Sequence, residues 1–272
     1  MPSYRLTLSY DGTAFAGSQI QPGQRTVQGE LEAALRRLGS VNAATNFAGR
    51  TDRGVHAFGQ VVAVEFSEWR ATAGELERAL AARLPVDVAA RQVTESSPAF
   101  NPRFDAVWRE YRYWIAPGAM SPFLGRYAWL LRDGGDAARM NEAAASLLGT
   151  HDFASFAGGG EGVPWSERSS RPRGTIRTLL RCDVRTHEIW PGPGRDVGVA
   201  ALEFRIAADG FLPRMVRNIA GALVEVGQGR REPAWIGEML AAKDRRQGPE
   251  VAPAHGLTLW RVGYPGDALV DE

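Results

Sequence analysis

Gly49-Arg50-Thr51-Asp52-Arg53-Gly54-Val55-His56-Ala57 is the stretch on which the reading of this chain turns. It sets one carboxylate, Asp52, at the centre of a short polar turn. Arg50 stands two residues before it and Gly54 two residues after it. An arginine beside an aspartate favours the ionised carboxylate. Glycines on both sides let the backbone bend tightly and let a ligand come close. Directly downstream, Phe58 to Phe66 reads as a strand, with Phe58, Gln60, Val62, Val64 and Phe66 on one face. A turn at a strand end is where a rigid scaffold presents a reactive side chain. Taken alone, however, an aspartate in such a turn is more often a capping residue than a catalytic one.

Working outward, the rest of the chain alternates strands and helices. Tyr4 to Tyr10 reads as a strand, with Leu6 and Leu8 sharing a face. Thr26 to Leu38 reads as a helix through Val27, Leu31, Leu35 and Leu38, with Gly39 at its end. Asn42 to Ala48 leads as a strand into the Asp52 turn. Thr72 and Glu75 form a capping-box pattern ahead of a helix carrying Leu76, Leu80 and Leu84, and Pro85 stops it. Val86 to Val93 returns as a strand. The second half repeats the style. Strands are expected over Asp105–Ile115, Thr175–Ile189, Val197–Ile206 and Leu257–Val262. Helices are expected over Asp136–Leu148, Phe211–Val226 and Ala234–Ala242, with Pro233 near the start of the last. Gly158 to Arg173 reads as a long loop, and the tail after Pro265 as frayed.

Composition sets outer limits. The chain has 272 residues, 44% of them hydrophobic, enough for one large or two intimate domains. The N-terminus has no apolar core of a signal peptide, and no window is apolar enough to span a membrane. One cysteine, Cys182, excludes an internal disulfide, and its apolar neighbours suggest a buried thiol. A cytoplasmic protein is the expectation. The net charge of +1 does not announce a nucleic-acid binder. Only Lys243 among the 32 basic residues is a lysine. Arginine suits phosphates and stacks on bases, but a GC-rich genome explains the same bias.

The chain lacks a P-loop, and its histidines (His56, His151, His187 and His255) are scattered without metal-ligand spacing. Gly158-Gly159-Gly160 lacks the strand-to-helix setting of a dinucleotide site. No metal, nucleotide or redox cofactor is expected.

The Asp52 stretch resembles the catalytic motif of the tRNA pseudouridine synthase A family. Further stretches follow that family in collinear order. They are Tyr10-Asp11-Gly12-Thr13 with Phe15, Gly17 and Gln19, then Thr26-Val27-Gln28, then Phe100, Arg103 and Phe104, then Arg109, Tyr111, Arg112 and Tyr113. Gly210-Phe211-Leu212 with Met215-Val216-Arg217-Asn218-Ile219, Ala242-Lys243-Asp244-Arg245, Ala252-Pro253 and Gly256-Leu257 complete the series. The departures are Ser18, where the family usually has Trp, Asn101-Pro102, and a longer 158–173 loop.

The resemblance implies an α+β fold of two pseudo-symmetric halves sharing a continuous, mainly antiparallel sheet with a central cleft. Residues 1–104 would form the half carrying the catalytic aspartate, and residues 105–272 the half completing the cleft. It implies isomerisation of uridine to pseudouridine in the 3′ side of the tRNA anticodon stem-loop, at about positions 38 to 40. It also implies a homodimer with tRNA as partner. Asp52 becomes the catalytic carboxylate. Tyr111, which shares a strand face with Tyr113 and Ile115, is placed against the target base. Arg217, in an apolar helix, needs an anionic partner. The resemblance makes that partner Asp52, and Glu225 is the local alternative. Arg50, Thr51, His56, Gln19 and Arg103 are the candidate substrate-binding residues. Arg50 serves phosphate or only its own turn, and His56 points to substrate or packs at a strand start. Asp11, Gln19 and Lys243 read more as structural than as directly functional, and Arg168, Arg171 and Arg173 read as a solvated loop before a phosphate grip. Rival readings are a pseudouridine synthase acting on another RNA, a non-catalytic RNA-binding module, and a hydrolase. The last would need a second catalytic carboxylate, and none stands out.

Overall fold

The computed structural model describes residues 3–40, 44–66, 72–118, 123–158, 174–189 and 198–271. The chain divides into two compact units, Met1–Val107 with Thr258–Glu272, and Trp108–Leu257. The C-terminal segment thus clusters with the first unit.

In the first unit, β1 (Ser3–Tyr10) lies between β3 (His56–Glu65) and β4 (Val88–Ser96), antiparallel to both. The short β2 (Thr45–Phe47) pairs antiparallel with β3, and β10 (Leu257–Gly263) pairs parallel with it. Two amphipathic helices supply apolar faces. α1 (Val27–Arg37) buries Val27, Leu31, Ala34 and Leu35, the spacing of one helical stripe. Thr26 caps it, its hydroxyl accepting the Gly29 N–H. α2 (Ala73–Ala81) starts in the expected capping box. Thr72 and Glu75 exchange side-chain and backbone bonds. Leu6, Leu8, Val62, Val64, Phe66, Leu76 and Leu80 are wholly buried and form the core.

One expectation fails here. Gln60, Val62, Val64 and Phe66 are buried as the alternation demands, but Phe58 is 44% exposed. The cause is a β-bulge. Leu8 pairs with Gln60 while Tyr10 pairs with Ala57, so two residues of β3 stand opposite Ser9. The extra residue swings Phe58 off the core face.

In the second unit β5 (Trp108–Pro117), β9 (Val199–Ala208), β8 (Ile176–Ile189) and β7 (Gly149–Asp152) pair successively antiparallel. β6 (Trp129–Leu131) runs parallel to β5. The helices are α3 (Ala137–Ala145), α4 (Met215–Gly227) and α5 (Trp235–Ala242). α4 is buried nearly all round, and Gly227 leaves space that Met140 of α3 fills, a Cβ there falling 2.2 Å from its methyl carbon. The helix expected from Phe211 begins only at Met215, because Arg214 holds a left-handed φ of 57°.

Alternate residues of β5, β9 and β8 carry charge into this unit's interior. Arg112 donates to Glu203 at 2.9 Å, Arg181 to Glu110 at 3.0 Å and Arg205 to Asp183 at 2.6 Å. Glu110, Glu203 and Arg205 are at most 2% exposed. Such groups persist only as mutual partners. Burial also pushes the Cys182 thiol upward, with Asp183 adding to the shift.

The fold is therefore mixed α and β with mainly antiparallel pairing. Among the described residues no helix is long and apolar enough to cross a membrane. The 159–173 segment with Arg168, Arg171 and Arg173, and the Pro191–Gly194 turn, lie outside the described residues.

Candidate active site

The Asp52 turn is held from three sides by the first unit. At its entry, the fully buried Gln60 amide grips both backbone groups of Gly49. Its Oε1 accepts the Gly49 N–H at 3.2 Å, and its Nε2 donates to the Gly49 carbonyl at 2.8 Å. In the middle, the Tyr10 hydroxyl and Thr51 Oγ1 share a buried hydrogen bond of 2.8 Å. Burial pushes the Tyr10 phenol up to about 12, with Thr51 and Gln60 opposing the shift. Ser18, 1% exposed, completes the clamp. Its Oγ accepts the Thr51 N–H at 2.9 Å, and its own N–H donates to the Thr51 carbonyl at 3.0 Å. The turn then closes on itself, Val55 N–H donating to the Asp52 carbonyl at 3.1 Å.

Two glycines of the opening motif allow this approach. A Cβ on Gly12 would stand 2.0 Å from the Val55 carbonyl oxygen. Gly17, at φ 121°, bridges to Asp52, and a Cβ there would lie 2.9 Å from the Thr51 carbonyl oxygen. The same segment feeds α1, whose Val27 and Gln28 N–H groups donate to the carbonyls of Gly17 and Ser18. The Asp52 turn and a helix N-terminus are thus fastened to one strip of chain.

His56 follows the turn and is buried. Its Nδ1 accepts the Gly12 N–H at 3.0 Å and lies 3.3 Å from Asp11 Oδ1. Asp11 in turn caps the 3-10 turn Gly12–Ala14 through the Thr13 N–H. Asp11 and His56 therefore support the floor beneath Gly12. Asp52, Arg50 and Gln19 are exposed. Arg50 and Gln19 make no hydrogen bond or ion pair among the described residues. Arg103 is exposed on a turn in which Asn101 Oδ1 accepts the N–H groups of Arg103 and Phe104. Asn101-Pro102 thus builds an Asx-type turn, and Tyr264 ties it down by donating to the Pro102 carbonyl at 2.9 Å.

The second unit positions Tyr111 and Arg217. Tyr111 is buried on β5, its ring 5.2 Å from Phe211 and perpendicular to it. Arg217, on α4, is half-buried. Its Nε donates to the Ala252 carbonyl at 2.7 Å, and Ala252 N–H returns to the Arg217 carbonyl at 3.3 Å. Tyr113 donates to the adjacent Pro253 carbonyl at 2.8 Å. Burial raises the Tyr113 phenol, and the Arg217 charge opposes that shift. Burial lowers His255 below the ordinary imidazole range, a bond involving Ala128 opposes this, and Arg217 adds to the lowering. Gly256 has no side chain because Tyr113 fills the space, 2.6 Å from where its Cβ would be. Glu225, the local alternative partner of Arg217, is instead engaged by Arg230 at 2.8 and 2.9 Å. Lys243 Nζ lies 3.5 Å from Asp152.

Sequence reasoning missed the supporting roles of Gln60, Tyr10 and Ser18. Alternation puts Gln60 on the core face but does not say which backbone groups its amide holds, and a lone serine carries no signal at all. Among the described residues no group of three or more His, Cys, Asp or Glu side chains is placed to hold a metal ion.

An exposed aspartate on a clamped turn at the head of a sheet strand is placed to present one carboxylate to a ligand. Comparison with known proteins names the family. The tRNA pseudouridine synthase family matches residues 7–105 and 143–265. The chain is similar to tRNA pseudouridine synthase A of Geobacillus kaustophilus, 42% identical over 98% of this chain and 96% of that protein. It is 43% identical to the protein of the same name from Streptomyces griseus, over 98% of this chain and 89% of that one. It is 37% identical to the one from Thermosipho africanus, over 96% and 99% respectively. The chain belongs to the tRNA pseudouridine synthase family.

Proposed function

We propose that this protein isomerises uridine to pseudouridine in tRNA, on the 3′ side of the anticodon stem-loop, with Asp52 as the catalytic carboxylate. The observation that carries the reading is the clamped Gly49–Ala57 turn in a chain with full-length relatives of that name. The reaction breaks the bond from uracil N1 to ribose C1′, turns the base and joins C5 to C1′. The C5 proton leaves and N1 gains a proton, so no group is added overall. Asp52 serves as nucleophile at C1′, as proton acceptor or as stabiliser of positive charge there. Tyr111 stacks on the extruded base or helps to remove the C5 proton. Such a stack is worth roughly 1–3 kcal/mol, comparable to the cost of flipping a base out. Arg217 orients and balances Asp52.

In this reading the two halves, residues 1–104 and 105–272, share one continuous sheet and hold the base in the cleft between them. Arg50, Thr51, His56, Gln19 and Arg103 form the substrate side, with Arg50 meeting phosphate and Thr51 and His56 fixing the turn from below. Acting at neighbouring positions with one site requires reading RNA shape and backbone more than sequence. The protein works in the cytoplasm as a homodimer, and needs no cofactor. The experiment is a map of pseudouridine positions, by carbodiimide-dependent reverse-transcription stops, in RNA from a strain lacking the gene. Loss of stops confined to the anticodon stem-loop, restored by the wild-type gene, is the expected result. Loss in another RNA would move the substrate assignment there.

A further inference from the structure

We propose that Arg91, Phe58 and Trp260 form a second nucleotide subsite, which takes a base and its phosphate from the RNA strand flanking the target uridine. The proposal rests on the tRNA reading above. The three side chains come from β4, β3 and β10 of the first unit. Phe58 stacks on Trp260 with ring centroids 4.7 Å apart and planes 16° from parallel. The Arg91 guanidinium lies 4.0 Å from the Phe58 ring centroid. The bulge opposite Ser9 creates the arrangement, since it turns Phe58 out of the core and exposes 44% of it. Two bonds then fix the bulged backbone, Ser9 Oγ at 2.7 Å and an Arg91 nitrogen at 2.5 Å, both donating to the Phe58 carbonyl.

The charge on Arg91 is what selects the occupant. Its Nε is buried with no acceptor, and no carboxylate pairs with it among the described residues. Arg25, in the same unit, is by contrast held by both oxygens of Asp87. A cation stacked on an exposed aromatic, without an anion of its own, suits a phosphodiester with its base. A second cation–aromatic contact lies on β1, where Arg5 is 4.3 Å from the ring centroid of the buried Tyr264 and 5.5 Å from that of the part-exposed Phe100. Phe58 lies six residues beyond Asp52 on the strand that the catalytic turn opens, so RNA presented to Asp52 passes within reach of this unit's aromatic patch.

The test measures binding of an unmodified tRNA transcript and its steady-state turnover. Phe58→Ala and Arg91→Ala are each expected to raise Kd and KM on the order of tenfold while kcat at saturating tRNA stays within about twofold. Arg91→Ala is also expected to reduce the salt dependence of binding by about one ion. Phe58→Tyr keeps the ring and retains wild-type affinity. Arg37→Ala, at the exposed end of α1, is the control. A folded Phe58→Ala with unchanged Kd and KM beside an active wild type overturns the subsite and leaves the enzyme reading intact. A wild type that binds tRNA through Phe58 without turnover keeps the subsite and removes the enzyme reading. A change in subunit association with unchanged RNA affinity assigns the patch to a protein contact and overturns the proposal.

Discussion

Ser18 and Thr51 are joined by a reciprocal pair of hydrogen bonds, Thr51 N–H to Ser18 Oγ at 2.9 Å and Ser18 N–H to the Thr51 carbonyl at 3.0 Å. Through this pair the residue before Asp52 is locked to the segment that starts α1. Ser18→Ala leaves a buried N–H without a partner, a loss of about 1–3 kcal/mol. A lowered Tm with kcat reduced more than KM is raised is the expected outcome. An unchanged Tm and kcat would mean that the turn is held without Ser18.

Gly12 sets the depth at which the turn sits. Its missing side chain is the space that the Val55 carbonyl occupies, 2.0 Å from the position of a Cβ. The obstacle is backbone, so no rotamer relieves it. Gly12→Ala is expected to destabilise by several kcal/mol, beyond the roughly 1–3 kcal/mol of ordinary overpacking, and to abolish turnover. Gly23→Ala, where no atom lies within 4 Å of the Cβ, is the comparison, although its φ of 69° adds modest strain. Denaturant melts of the two variants side by side give the answer.

The buried ions of the second unit are predicted to matter in proportion to burial. Glu203 meets Arg112 at 2.9 Å and His187 at 2.9 Å while 1% exposed. Glu203→Ala takes from Arg112 its partner at 2.9 Å, leaving Glu110 3.8 Å from its Nε, and is expected to cost about 3 kcal/mol. Removal of the exposed Arg230 from Glu225 should cost about 0–1 kcal/mol. Equal losses in urea titrations would contradict the distinction.

Acid should act on the Arg25–Asp87 pair. The Arg25 guanidinium holds the Asp87 carboxyl below the ordinary carboxylate range, against the opposing effect of burial. A carboxylate depressed in the folded state contributes stability above its unfolded pKa, near 3.9, and loses it as pH falls through the lower folded value. The stability difference between wild type and Asp87→Asn is therefore expected to be constant from about pH 5 to 7 and to shrink below about pH 4. Both residues are partly exposed, so the difference is modest and falls with salt.

Much of this fold was legible because local signals agreed with tertiary demands. The Thr72–Glu75 capping box, the Val27, Leu31, Leu35 stripe and the Leu6, Leu8 alternation each needed only near neighbours, and each stands in the structure. Phe58 was misplaced because a bulge is a property of two strands, and its cause, the register between Leu8–Tyr10 and Ala57–Gln60, is not local to either. The short β6 and β7 are three and four residues long, too brief for a period to show. The charged ladder of Glu110, Arg112, Asp183, Glu203 and Arg205 has a period of two, which reads as a solvated face until the strands are placed side by side. Of the candidate site, the turn itself was visible in sequence. Its support was not, since Gln60, Tyr10 and Ser18 reach Gly49 and Thr51 from sequence separations of 11, 41 and 33.

The central claim is that Asp52 on this clamped turn performs the isomerisation. Its most direct test is tritium release from C5-labelled uridine in unmodified tRNA transcripts, with wild type and Asp52→Asn measured together and tRNA affinity followed in parallel. The account predicts release by wild type, and no release by Asp52→Asn with the fold and most of the affinity kept. Release by Asp52→Asn at a wild-type rate would contradict it.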